Sequence, residues 1–296
     1  MSVVEQQGVT MPEPALPVVR PTRRRRSPAG HAARAAGMLL VLSLLVFMIG
    51  PLAWLSLRAF SALWQFPQLV PSHWTVSWWS QVVHDGTLRH SMKLSFIFAP
   101  VVTVLSAAIC LPAAYAFSRY NFPGRRVLLI ALFATNAFPK IGLYISMAGM
   151  FYWLNLMGTF MGVVFVQLIG TVVFMTWIPA AAFSAVPRSL EEAARDVGAG
   201  ALRVFFRVTF PLAAPGIFVA MILSFLASFD EAQGTFLVGV PNYITMPTEM
   251  YTLVLNYPEG AAAVFSILLT IPSIILMSIA RKHVMGGRLA EGFQIR

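Results

Sequence analysis

Six apolar stretches, at about 37–58, 91–118, 127–150, 155–183, 212–238 and 261–280, divide the chain, and polar, arginine-bearing segments separate them. Each is close to the ~20 apolar residues that carry a helix across a bilayer. Pro51, Pro100, Pro112, Pro139 and Pro179 fall inside them. Membrane helices tolerate proline where neighbouring groups re-satisfy the freed carbonyls. The weakest division is at Asn155 and Gly158, between the third and fourth stretches. The pattern predicts an all-α integral membrane fold of six transmembrane helices. It places a basic tail over 1–36, a transmembrane domain over 37–283 and a C-terminal tail over 284–296.

A basic, proline-bearing N-terminus before an apolar run also fits a secretory signal. The run from Gly37 to Phe60 is too long for one and has no convincing small-x-small cleavage site, so it reads as an uncleaved first span. Lys and Arg orient the rest. One set of loops holds Arg20, Arg23 to Arg26 and Arg34, then Arg119, Arg125 and Arg126, then Arg188, Arg195, Arg203 and Arg207, then Arg281, Lys282, Arg288 and Arg296. The opposite loops hold only Arg58, Arg89 and Lys93. The rich side is cytoplasmic, both termini lie inside, and an even number of spans follows. Trp64, Trp74, Trp78 and Trp79 crowd the first outer loop, where an interfacial belt is expected.

Composition sharpens this picture. Only 11% of residues are charged and 58% are hydrophobic, against about a quarter charged in soluble domains. No stretch is left over for a separate soluble domain. The net charge of +10 and the run Arg23 to Arg26 invite a nucleic-acid reading. The basic residues flank apolar spans, however, so membrane lipid is the expected neighbour and nucleic acid is not. Cys110 is the sole cysteine, which leaves no intrachain disulfide, and His31, His73, His84, His90 and His283 lack ligand-like spacing, so no metal site is expected.

The third inside loop differs from the others. Pro187 precedes it, Ser189 is a candidate helix cap, and Glu191 and Glu192 suit a first turn. Gly198 and Gly200 are expected to end that helix after two turns. A second short helix is expected, with Leu202, Phe205, Phe206 and Thr209 on one face and Arg203 and Arg207 on another, before Pro211 opens the next span. A compact helical loop bearing both charge and apolar side chains suits the docking of a protein.

Within it stand Glu192-Ala193-Ala194, three residues, Gly198, nine residues, Val208, one residue, and Phe210-Pro211. This spacing resembles the signature loop of ABC importer permeases of the binding-protein-dependent type, with Val208 and Phe210 in place of the family's Ile and Leu. Ala113 to Arg126 is also similar to the exit of the family's second span, and the likeness extends over roughly 90–285. The resemblance implies that the loop is a cytoplasmic coupling helix seated on an ATPase, with Glu191, Glu192, Ala193, Ala194, Asp196, Gly198, Arg203 and Pro211 as docking residues. It further implies a second permease subunit, a pair of ATP-binding subunits, an extracytoplasmic solute-binding protein and a bacterial inner-membrane location. ATP and Mg would be bound by the partner ATPase and no cofactor by this chain. In keeping, the chain has no phosphate-binding Gly-x-x-x-x-Gly-Lys motif and no nucleophile motif. No residue is expected to be catalytic, and the chain is not itself an enzyme.

Charges within spans are costly and usually face a cavity or pair up. Lys140 is expected mid-way along the third span, with Asp230 and Glu231 toward the outer end of the fifth. Either Lys140 pairs with Asp230 or Glu231, or these groups line the solute path together with Asn136 and Gln233. The solute is less defined. Asp196-Val197-Gly198-Ala199 and Phe229-Asp230-Glu231 are similar to polyamine-type permeases, whereas Asn136 to Pro139 is similar to sugar-type ones, and polyamine is slightly favoured. A secondary transporter driven by an ion gradient is the alternative, although no internal repeat of the expected kind is visible. A membrane scaffold anchored by the loop is a further one.

Overall fold

The computed structural model describes residues 28–285, apart from 63, 66, 69 and 136. Its elements are α1 (Pro28–Ala59), α2 (Ser77–His84), α3 (Gly86–Arg119), α4 (Arg125–Ala134), α5 (Lys140–Trp153), α6 (Phe160–Ala185), α7 (Arg188–Asp196), α8 (Ala201–Val204), a π-turn (Phe205–Thr209), α9 (Phe210–Phe229), α10 (Gln233–Gly239), α11 (Met246–Asn256) and α12 (Glu259–Met285). Among the described residues the extended structure is an isolated antiparallel bridge between Ser61 and Trp74.

Five helices are long and apolar enough to cross a membrane: Ala36–Ala59, Gly86–Arg119, Phe160–Ala185, Ala201–Phe229 and Glu259–Arg281. The expected third span is not one continuous helix. It is the pair α4 and α5, and the chain turns at Thr135 and Ala137 between them. Pro139 accounts for the break, because it has no N–H to donate and forces the residue before it out of the helical region.

Three boundaries move for local reasons. Asp85 starts α3 five residues before the expected 91 by accepting hydrogen bonds from the Thr87 and Leu88 amides. Asn155 and Gly158 both take positive φ, and α6 begins behind them, its first turn capped by the Thr159 hydroxyl. The fifth span stops at Phe229 rather than 238, and α10 follows as a separate helix. At the N-terminal side, α1 begins at Pro28, inside the stretch expected to be tail, and residues 1–27 and 286–296 lie outside those described.

The chain forms two units, residues 1–52 and 53–296. In the first, every described side chain from Ala36 to Leu52 is exposed. A helix apolar on all sides is at home in lipid or against another apolar surface.

In the second unit, α3, α6 and α9 supply the core. Leu94, Phe98 and Val102 of α3 meet Val163, Val164 and Leu168 of α6. Further along, Ala114, Ala182, Phe183, Ala213 and Ile217 close a second cluster. Water does not drive helices together inside a bilayer, so close packing of small residues and interhelical hydrogen bonds must do so. Both are present. Gln167 of α6 donates to Thr235 Oγ1 at 2.9 Å and accepts from Ser228 Oγ at 2.7 Å, and Thr171 Oγ1 donates to Ser106 Oγ at 2.9 Å.

At the Asp85 end of α3, α2, α11 and α12 pack around Leu88, Leu253, Val264 and Phe265. The tryptophans between α1 and α3 are not simply a belt. Trp64 is buried, its carbonyl accepts from Arg58 Nη1, and its ring lies under the Arg58 guanidinium at 4.9 Å. Trp78 donates to the Ser61 carbonyl at 2.8 Å. Trp74 alone of the four is well exposed.

Candidate functional site

The loop between α6 and α9 is built from two helical pieces with opposite surroundings. In α7, Glu191 is buried, while Glu192, Ala193, Arg195 and Asp196 are exposed and Ala194 is half-buried. Ser189 does not cap α7; the N-cap position is Pro187, which has no side-chain hydrogen bond to give. The helix ends at Gly198, whose φ of +85° is open to glycine at no steric cost. Its amide donates to the Arg195 carbonyl at 2.8 Å, and the Ala199 amide to that of Ala194 at 3.0 Å.

The second piece is not a separate short helix. From Ala201 it runs without interruption into the span. Its middle is the π-turn, closed by the Phe210 amide on the Phe205 carbonyl. Pro211 explains the turn: it cannot donate to the carbonyl four residues back, and an extra residue in the turn accommodates the gap. The expected apolar face therefore divides. Thr209 is buried and Phe205 half-buried, whereas Leu202 and Phe206 are exposed. Arg203, Arg207 and Pro211 are exposed as well. Together with Leu190 and Val197, both exposed, they give the loop an outward surface of mixed charge and apolar side chains.

Glu191 points the other way. Its Oε1 lies 2.7 Å from Arg119 Nη2 and accepts from Thr209 Oγ1 at 2.7 Å. Arg119 is the last residue of α3, and the same Nη2 donates to the carbonyl of Val186 at the end of α6 at 3.0 Å. Tyr115 packs edge-on against Phe183 and Phe205 one turn away. In the sequence Arg119 is one of the loop arginines that set topology and Thr209 falls on the expected apolar face. No spacing rule separates an arginine that orients a loop from one that enters the core.

The residues proposed for the path fare differently from one another. Lys140 is exposed and sits at the first position of α5, not in mid-helix. Asp230 is exposed at the C-cap of α9, and Gln233 is exposed at the start of α10. Glu231 is buried and occupied. Its carboxylate accepts from the Gly234 amide at 2.7 Å, the Thr235 amide at 2.9 Å and Thr235 Oγ1 at 2.7 Å, so it caps α10. Of the two alternatives, the ion pair of Lys140 with Asp230 or Glu231 is not among the contacts of the described residues. The ion pairs among the described residues are Arg58–Glu259 and Arg119–Glu191. Asn136 lies outside the described residues.

Comparison with known proteins identifies the family. The family profile of the binding-protein-dependent transport system inner membrane component matches residues 33–285. The chain belongs to this family. It is thus an ABC importer permease subunit, and the ion-gradient alternative finds no support in the assignment. Among relatives, the trehalose/maltose permease protein MalG of Thermococcus litoralis is 29% identical over 71% of this chain and 78% of its own length. The trehalose permease protein SugB of Mycobacterium tuberculosis is 28% identical over 86% and 96%. Among solved structures, a bacterial ABC transporter for import of the acidic polysaccharide alginate matches with a TM-score of 0.68 and 21% identity, over 86% of this chain and 98% of that one. The MetNI methionine ABC transporter matches with a TM-score of 0.54 and 17% identity, over 67% and 95%. These last two speak for the permease fold alone. The polyamine lean finds no support among these relatives.

Proposed function

We propose that this permease subunit forms half of the translocation path of an importer for a small saccharide, and that α7 with the exposed part of the π-turn docks the ATPase on the cytoplasmic side. The observation that carries the docking role is the division within α7: a single side chain is held inside, and the signature residues around it are turned outward. A surface that combines Glu192, Arg195, Asp196 and Arg203 with Leu190, Leu202 and Phe206 is suited to a protein groove rather than to lipid.

The saccharide class is supported by the relatives, which are named for trehalose and maltose. In this reading Lys140, Asp230 and Gln233 face the path. Backbone broken at membrane depth is tolerated where it lies against protein or lines a watery cavity, and Lys140 opens α5 directly after such a break. A second permease subunit, two ATP-binding subunits and an external binding protein complete the assembly, and both termini lie in the cytoplasm.

The test is affinity purification of the tagged chain from its native membrane, followed by uptake in reconstituted vesicles. Recovery of an ATPase, a second permease and a binding protein, with trehalose or maltose accumulating and putrescine not, is the expected result. Accumulation of putrescine would overturn the saccharide assignment. Recovery of the chain without an ATPase would overturn the docking role.

A further inference from the structure

The buried face of the docking loop has a separate purpose from its exposed face. Glu191 is the only buried residue of α7, so its carboxylate is the helix's one enclosed attachment to the bundle; at the exposed start of α7, Arg188 Nη2 adds a bond to the Arg119 carbonyl at 3.2 Å. That carboxylate meets a guanidinium from the end of α3 and a hydroxyl from the π-turn at the foot of α9. The guanidinium in turn holds the final carbonyl of α6. Three spans and the loop therefore converge within hydrogen-bond distance of two side chains. Arg119 and Glu191 are almost fully enclosed, with side-chain exposures of 8% and 5%, and Thr209 is wholly buried. All three are turned away from the exposed face of α7.

Packing alone does not require this arrangement. A buried ion pair gives little or no net stability over apolar residues of similar size. Its distinguishing property is geometry. The planar guanidinium fixes the direction of each bond it makes, so α7 is prevented from sliding independently of the helices below it. The π-turn lies in the same node, and turns of this kind occur frequently at functional sites.

We propose that Arg119, Glu191 and Thr209 are positioning residues that transmit movement of α7 into α3, α6 and α9 as one unit. This rests on the reading of α7 as the ATPase-docking segment. Coupling between two sites is carried by an element that both sites bias, and here that element is the node with its π-turn.

The experiment uses the complete importer with its own binding protein, purified in liganded form. Three quantities are read for each variant: ATPase recovered with the complex, basal ATP hydrolysis, and the stimulation of hydrolysis by the binding protein. The double variant R119M/E191M keeps the site filled and removes the directed bonds. T209V removes one hydrogen bond and keeps the shape, and T209S restores the hydroxyl. The expected result is native recovery and basal hydrolysis in both R119M/E191M and T209V, with stimulation reduced by about tenfold in the first, a typical size for coupling between sites. A smaller reduction is expected in T209V, reversed in T209S. Native stimulation in R119M/E191M or T209V, at native recovery, would overturn the proposal. Should the double variant fail to recover the ATPase, T209V decides alone. Absence of the ATPase from the complex with the native chain would instead refute the docking reading on which the proposal stands.

Discussion

Gly216 of α9 faces Ala182 of α6 so closely that a methyl group on the glycine would stand 2.6 Å from the alanine Cβ. The two spans that flank the α7 loop come this close at Gly216 because one partner has no side chain. Overpacking a close interface costs about 1–3 kcal/mol. Gly216→Leu is therefore expected to lower the thermal midpoint of the detergent-solubilised protein and to reduce its level in the membrane. Ala182→Gly combined with Gly216→Ala should recover most of the loss, because the two sites are in contact and couple. An unchanged midpoint in Gly216→Leu would show that the helices are free to separate.

Gly198 offers a contrasting case. Nothing lies within 4 Å of where its Cβ would be, yet its φ is +85°. The cost of a side chain there is conformational rather than steric, roughly 1–2 kcal/mol for a left-handed residue. Gly198→Val is expected to leave the transmembrane bundle intact and to weaken recovery of the ATPase, read by co-purification at equal expression. Native recovery in Gly198→Val would mean that the angle between α7 and α8 is irrelevant to docking.

A pH dependence is expected at the opposite end of α3. Glu249 of α11 is buried beside a cleft of about 470 Å³ lined also by His90, Ser91 and Asn242. Burial, with the Asp85 carboxylate adding to it, pushes the Glu249 carboxyl above the usual range. The folded state then holds this proton more tightly than the unfolded chain does. Its contribution is favourable below the ordinary carboxylate pKa and is lost as pH rises from there through the raised value. Glu249→Gln should flatten that part of the stability profile, measured as thermal midpoint between about pH 4 and 7. An identical slope in native and variant chains would contradict the assignment.

Gln167 ties α6 to α9 and α10 through Ser228 and Thr235. Interhelical hydrogen bonds in membranes are worth about 0.6–2 kcal/mol. Gln167→Leu leaves the Ser228 and Thr235 hydroxyls to find other partners, so a loss of that order is expected, seen as a lower urea or SDS midpoint. A variant as stable as the native chain would mean that the hydroxyls re-pair locally at no cost.

Much of the architecture was legible because lipid imposes simple requirements. Apolar length located five spans, and helix-breaking residues marked where they stop. The break within the third stretch was not legible, because Pro139 divides it into α4 and α5 without changing its hydropathy. The Glu192 to Pro211 spacing announced the loop, but it could not assign an inside and an outside to adjacent glutamates. Glu191 and Glu192 are alike in chemistry, and the structure sends one to Arg119 and the other to solvent. The Glu231 case is similar: an acid at the end of an apolar run reads as a path residue, whereas free backbone amides at Gly234 and Thr235 claim it.

The one buried side chain of α7 also separates the surface proposed for recognition from the contact that holds the helix in place. Replacing Glu192, Ala193, Arg195 or Asp196 leaves the bonds of Glu191 to Arg119 and Thr209 untouched, so on the proposed docking role the outward residues can be rewritten without rebuilding the bundle. Under the proposed docking role the loop is an interchangeable adaptor, whose exposed face can diverge with its partner while the transmembrane body stays as it is.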